Sequence, residues 1–245
     1  MLSKSGSRIV TTLLVGALIF VVSIVLPKLL VFKGVSSLLT TQGLELVLAL
    51  LAIGVLGKGR FSDYGFRLPR IASFSLRVLA KWVLIALTAV GMGATATLAV
   101  SLSGGSGNPV VKQLSLPQIV LFVWVFSSII EEILTRGFIQ GHLSPLNEVS
   151  VGMLVFRVSV PTLAGALFFG AMHFVLLLSG ADIPTTVIIV IFTFSLGLLA
   201  GHQRAKSGSL LPAIILHALA NMGGILGGIV FVLIAIVTTG KLPEF

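Results

Sequence analysis

Two adjacent acids, Glu131 and Glu132, stand inside a long apolar stretch of the chain, and Arg136 follows them. Residues four apart share one face of a helix, so Glu132 and Arg136 are placed to form an ion pair. Glu131 is turned by about 100° from Glu132 and is left to face other partners. An ionisable side chain at membrane depth is costly and usually marks a functional site. A carboxylate in such surroundings suits the chemistry of a general base.

Three further polar residues interrupt apolar helical stretches. His173 follows the segment ALFFGAM, and His217 and Asn221 are four residues apart in LPAIILHALANM, so the latter two share one helix face. Taken singly, each is more typical of a side chain that hydrogen-bonds a neighbouring helix. Together with Glu131 they make four polar groups on three helices, and polar groups in lipid must find one another or water. The pattern therefore favours a shared, water-filled cavity.

Composition places the chain in a membrane. Of its 245 residues, 56% are hydrophobic and 9% are charged, whereas a soluble domain carries about 25% charged residues. The net charge of +9 does not indicate nucleic-acid binding, because the basic residues form no stripe and no set of base-stacking aromatic residues accompanies them. The absence of cysteine excludes disulfides, thiol catalysis and a cysteine-ligated metal site.

The hydropathy pattern predicts an all-α, polytopic membrane protein. A span needs about 20 apolar residues, and we predict eight spans, of which the last two are separated only by the sequence Asn-Met-Gly-Gly and could be one broken helix. The predicted spans are 9–31, 42–57, 78–102, 118–140, 158–178, 184–202, 209–222 and 224–239. No long linker and no repeat divides them. The whole chain, 1–245, is therefore predicted to be a single integral membrane domain.

The basic residues predict the orientation. With the N-terminus in the cytoplasm, twelve of the sixteen Lys and Arg residues fall in cytoplasmic segments and three in outer loops, as the positive-inside rule expects. The twelve are Lys4, Arg8, Lys58, Arg60, Arg67, Arg70, Arg77, Lys81, Arg157, Arg204, Lys206 and Lys241. Eight spans then put both termini in the cytoplasm, with the plasma membrane as the expected compartment. Membrane lipid is an expected partner, since the basic loop 57–77 can meet anionic headgroups.

Three short motifs follow one another along the chain. EEILTR (131–136) fits the pattern EExxxR, FGAMH (169–173) fits FxxxH, and HALAN (217–221) fits HxxxN. With the flanking segments RGFIQGHL and GHQRAKSGSLLP, they make about residues 115–225 resemble the CAAX-protease and bacteriocin-processing family of intramembrane proteases. This family is also called the abortive-infection family and is related to the CAAX prenyl endopeptidase. Each motif alone is weak, but three in order within predicted helices make a strong signal.

The resemblance implies an eight-helix membrane fold around a conical, polar, water-filled catalytic cavity that opens towards the cytoplasm. By motif position, Glu131 and His173 would activate the attacking water. His217 and Asn221 would stabilise the oxyanion of the tetrahedral intermediate. The supporting residues would be Glu132, Arg136 and Phe169.

The residue types leave the use of a metal open. The zincin motif HExxH is absent, yet Glu131, His173 and His217 could supply three ligands to a divalent ion such as Zn²⁺ and leave a fourth position open. Alternatively, Glu131 and His173 activate water without a metal, while His217 and Asn221 provide donors where charge develops. We prefer the metal-free alternative, because a ring nitrogen that donates to an oxyanion cannot also bind a metal.

We therefore predict an intramembrane endopeptidase acting on a membrane-tethered protein or peptide. A prenylated CAAX-type protein, a bacteriocin leader or a pheromone precursor would each fit as substrate. The alternative is a non-proteolytic membrane protein, either a proton-coupled transporter or a bacteriocin-immunity or scaffold protein. Transporters often show two related halves with paired broken helices, and this chain has no such repeat. A purely structural Glu132–Arg136 pair is a third interpretation, but it leaves Glu131 without a partner, which is costly.

Overall fold

The computed structural model describes residues 2–29, 37–69, 75–153 and 156–243. Residues 30–31 of the first predicted span and 70–74 of the basic loop lie outside these ranges. Within them, seven helices are long and apolar enough to cross a membrane. They are α1 Leu2–Leu29, α2 Ser37–Leu56, α3 Leu76–Leu102, α4 Leu116–His142, α5 Val160–Met172, α6 Ile183–Ser207 and α7 Leu211–Thr239. A further short helix at Val175–Leu178 completes the fifth span. The prediction of a helical, polytopic membrane protein is confirmed.

The described chain has seven candidate spans, where we predicted eight. The segment from Asn221 to Gly224 does not interrupt α7, although each interior glycine costs a helix about 1 kcal/mol. The glycines are required by packing: a Cβ at Gly223 would lie 2.1 Å from the carbonyl oxygen of Val90 in α3. The two helices therefore meet backbone to backbone, and the sequence that looks like a helix break is a packing surface.

The contact between α3 and α7 repeats at three glycines, which we call the α3–α7 seam: Gly93, Gly223 and Gly227. A Cβ at Gly93 would lie 1.8 Å from the Ala220 carbonyl oxygen, and one at Gly227 would lie 2.2 Å from that of Ala94. Real Cβ contacts are never this short, so only glycine fits. Small residues that let backbones approach closely are typical of helix pairs in membranes.

The number of candidate spans bears on the predicted orientation. If all seven helices of the described chain cross the membrane, its two ends lie on opposite sides, whereas the cytoplasmic location of both termini, predicted from eight spans, stays a prediction. With the N-terminus inside, Lys241 moves to the outer group, which leaves eleven basic residues inside and four outside. The bias of positive charge still favours a cytoplasmic N-terminus.

Helix α4 changes its winding along its length. It consists of five consecutive segments: α-helical Leu116–Gln118, π-helical Ile119–Ser127, α-helical Ser128–Glu132, π-helical Ile133–Ile139 and α-helical Gln140–His142. A π-helix bonds residue i to i+5, is rare, and is often found at functional sites. The single turn that carries both glutamates is thus flanked on each side by wider turns.

The connections contain little regular structure. An antiparallel hairpin precedes α5, with β1 at Ser150–Met153, β2 at Phe156–Ser159, and Ser150 opposite Ser159. This hairpin is an addition to the predicted all-helical fold. The remaining short elements are the 3₁₀ turns Phe61–Tyr64 and Ser144–Leu146 and the helical turn Pro109–Lys112.

The bundle is apolar outside and holds its polar residues inside. Large aliphatic side chains such as Leu14, Leu178 and Val237 are 65%, 82% and 85% exposed, as expected for a surface that faces lipid rather than water. One buried cluster lies where α3, α5, α6 and α7 meet and includes Phe169 and Leu216. Polar side chains that are almost fully buried, among them Glu132 and Arg136, lie beside this cluster.

Candidate active site

The candidate site is built around the turn Ser128–Glu132 of α4. The Glu132 side chain is completely buried, and that of Glu131 is 19% exposed. Adjacent residues on a helix point in different directions, so the two carboxyl groups reach different neighbours. The contacts of Glu131 and Glu132 therefore differ.

Glu132 joins two basic side chains. Its Oε2 lies 3.2 Å from Arg136 Nε, and its Oε1 lies 3.1 Å from His217 Nδ1 on α7. A carboxylate oxygen accepts, so Nδ1 of His217 carries a hydrogen and donates it. The carboxylate thereby fixes the orientation of the imidazole, as second partners of functional histidines commonly do.

Arg136 is enclosed by protein on every side. Its side chain is fully buried, its Nη1 donates to the Thr135 hydroxyl, and its guanidinium lies 4.5 Å from the ring centroid of Phe169. Gly197 on α6 leaves room for it, since a Cβ there would lie 2.9 Å from Nη2. The positive charge is thus balanced mainly by Glu132 and by the face of an aromatic ring.

Glu131 keeps one oxygen uncommitted. Ser127 donates its hydroxyl hydrogen to Oε1, whereas Oε2 is buried without a hydrogen-bond partner among the described residues. The nearest basic atom is His217 Nε2, at 3.9 Å, which is beyond hydrogen-bonding distance. A free carboxyl oxygen and a free ring nitrogen thus stand close to each other without satisfying each other.

His173 lies at the end of α5. Its Nδ1 donates to the Phe169 carbonyl oxygen at 2.8 Å, so the opposite nitrogen, Nε2, is the one available for chemistry. Its charge interacts with those of Glu131 and His217. The Phe169 ring lies 5.2 Å from each imidazole, centroid to centroid. Phe169 is therefore a wall shared by both histidines.

Asn221 contacts α4, and its side-chain amide is already hydrogen-bonded there. Its Nδ2 donates to the Val123 carbonyl oxygen at 3.0 Å and to the Ser128 hydroxyl at 3.3 Å. Both amide hydrogens are therefore engaged. To donate to a reacting oxygen, as the motif implies, the Asn221 amide must first release one of these two bonds.

Sequence reasoning missed one acid, Glu45. The predicted span 42–57 would have Glu45 near its start, but α2 begins at Ser37. Glu45 therefore lies well inside the helix and is 5% exposed, and its charge interacts with that of Glu131. The signal was present in the sequence, since Glu45 is followed by an almost unbroken apolar stretch to Leu56.

The donors do not assemble into a metal site. Among the described residues, no group of three His, Cys, Asp or Glu side chains is arranged to hold a metal ion, although Glu131, His173 and His217 share one region. We therefore derive no step through a metal.

The fold and the site together define a polytopic helical membrane protein with a buried glutamate–histidine centre. Residues 113–223 match the protein-family model described as Type II CAAX prenyl endopeptidase Rce1-like, and this stretch of the chain belongs to that family of proteases. It contains every motif residue of the candidate site. No curated protein and no solved structure matches the chain.

Proposed function

We propose that the protein is an intramembrane endopeptidase that hydrolyses a peptide bond in a membrane-tethered protein or peptide. Prenylated CAAX-type proteins are one such class of substrate. One observation carries the proposal: within a CAAX-protease family domain, Glu131 Oε2 is buried and unpartnered beside His217 Nε2. Activation of water requires a base that takes up a proton, and a neighbouring nitrogen that can carry a proton assists it.

In the proposed reaction, Glu131 removes a proton from water, with His173 holding that water through its free Nε2. The water oxygen attacks the scissile carbonyl carbon, and the carbonyl oxygen becomes an oxyanion. The oxyanion then re-forms the carbonyl group as the C–N bond breaks, and Glu131 delivers the proton to the departing amine. The proton thus moves from water to Glu131 to product, and the enzyme returns to its starting state.

The oxyanion needs hydrogen-bond donors at the moment it forms. His217 can donate through Nε2 only when both ring nitrogens carry hydrogen, because Nδ1 already donates to Glu132. Asn221 is the second proposed donor, and it must first release Val123 or Ser128. Glu132 and Arg136 are positioning residues. The Glu132 carboxylate orients His217, and the Arg136 guanidinium balances the negative charge of that carboxylate.

The orientation of the site follows the charge bias. With the N-terminus in the cytoplasm, His217 lies near the cytoplasmic end of α7, about two turns from Leu211. We propose that substrates enter from that side, tethered at the inner leaflet of the plasma membrane. The whole chain, 1–245, acts as one integral membrane domain in this proposal.

The test compares the termini of membrane proteins by mass spectrometry in cells that make the wild type or Glu131→Gln at equal folded levels. New termini found only with the wild type would support proteolysis and identify the substrate. Glu148→Gln is the matched control, because Glu148 is exposed and lies outside the site. The same termini with Glu131→Gln as with the wild type would refute the proposal, and proton flux in liposomes would then be the next measurement.

A further inference from the structure

Glu45 is a buried acid that the proposed reaction does not use. It lies in α2, is 5% exposed, and its Oε1 is buried with no hydrogen-bond partner among the described residues. The ion pairs found in the described chain do not include it. A carboxyl group buried in this way has no cation to balance a negative charge.

Helix α2 holds this group against the catalytic helix. One turn before Glu45, Gln42 Nε2 donates to the Phe122 carbonyl oxygen of α4 at 2.9 Å. The charge of Glu45 interacts with that of Glu131, which also has a buried oxygen without a hydrogen-bond partner among the described residues. Glu45 and Glu131 thus each keep a buried carboxyl oxygen without a partner, on two helices that contact each other.

The physical chemistry of this pair decides where a proton resides. Two carboxylates in a low-dielectric site cannot both ionise at low cost, so the pair shares one proton. Glu131 has a donor in Ser127 and a basic neighbour in His217, whereas Glu45 has neither. Glu45 therefore has no described neighbour that would stabilise a negative charge, and we assign the proton to it.

We propose that Glu45 is a third acidic residue of the site, a neutral carboxylic acid that donates a hydrogen bond to Glu131 Oε2 through one water. It is a positioning residue, because its hydrogen bond holds the base in place. Only its effect on the reaction rests on the proposed function. Its protonation is a property of the folded protein with or without proteolysis.

Infrared spectroscopy of the purified protein in lipid tests the protonation directly. At neutral pH the wild type should show the carbonyl stretch of a neutral carboxylic acid. Glu45→Gln should lose this band, while Glu131→Gln and the exposed control Glu148→Gln should keep it. A band that survives in Glu45→Gln, or that disappears in Glu131→Gln, would overturn the proposal.

Kinetics test the positioning role, with a synthetic peptide that spans the cleavage site found by the terminus comparison. Glutamine retains an N–H donor, so Glu45→Gln should keep kcat within about threefold of the wild type, whereas Glu45→Leu should lower kcat about tenfold at unchanged KM. Equal kcat values in the two variants would overturn the positioning role. A wild type that cleaves nothing would instead refute the proposed function and leave the infrared result standing.

Discussion

Replacing Glu132 by glutamine should leave the buried positive charge of Arg136 without a counterion. Glu132 Oε2 and Arg136 Nε are 3.2 Å apart and both side chains are completely buried. At an effective dielectric constant of 20, unit charges at this separation attract by about 5 kcal/mol. A glutamine can still accept one hydrogen bond from the guanidinium, which returns about 1 kcal/mol. We therefore expect Glu132→Gln to lower the free energy of unfolding by about 3–5 kcal/mol, the range found for a broken buried pair.

The double variant Glu132→Gln with Arg136→Met separates charge imbalance from lost packing. Uncharged residues often replace a buried ion pair without loss of stability, so the double variant should recover most of the loss. The matched control is Asp63→Asn, which breaks the exposed pair between Arg60 and Asp63 (3.5 Å) and should cost at most about 1 kcal/mol.

Thermal unfolding in detergent micelles ranks the four proteins. The expected order of melting temperature is wild type and Asp63→Asn highest, the double variant close behind, and Glu132→Gln lowest. The reasoning fails if Glu132→Gln melts with the wild type. It also fails if the double variant melts no higher than the single one, because the loss would then come from packing rather than from an unbalanced charge.

Three further outcomes are expected. Gly223→Ala should destabilise the protein by about 1–3 kcal/mol, because the new methyl group overpacks against Val90. The control Gly228→Ala meets nothing within 4 Å and should change the stability by no more than about 0.5 kcal/mol. Equal melting temperatures for the two variants would contradict the close backbone contact at the α3–α7 seam. Because the chain has no cysteine, a membrane-impermeant thiol reagent should label single cysteines near the start of α1 and at Lys241 from opposite sides, and labelling from the same side would contradict seven crossings. Hydrogen bonds from the side chain and backbone of Thr185 and from the Ser106 backbone lower the pKa of Asp182 to about 2. The wild type should therefore be more stable than Asp182→Asn by a constant amount at neutral pH, and this difference should disappear as pH falls from about 4 to 2. A stability difference that persists at pH 2 would count against this reasoning.

The sequence predicted contacts that depend on one helix better than contacts that depend on two. The i,i+4 spacing predicted the contact between Glu132 and Arg136, which the structure shows. It also placed His217 and Asn221 on one face of α7, and both reach α4. The family resemblance is confirmed for residues 113–223, while the roles assigned to the site residues remain predictions.

What the sequence did not predict depends on neighbouring helices. The Gly-Gly pair in α7 looks like a break until the backbone of α3 is placed against it. The π-helical segments of α4 have no simple sequence signal, because wider turns are decided by packing. Glu45 was missed for a smaller reason: the predicted span began five residues later than α2 does, which placed this acid near the start of the span rather than inside it.

The α3–α7 seam also limits how the bundle can open. A contact made of backbone atoms has no side chains that could rotate to accommodate sliding, so α3 and α7 behave as one rigid unit. Movement that admits a substrate must come from helices with looser contacts. A groove of about 690 Å³ already separates parts of α1 and α5, lined by Leu13, Leu14, Leu167 and Phe168 among others. The three glycines of the seam therefore act as a fixed frame, and any opening of the bundle falls to helices outside the α3–α7 pair.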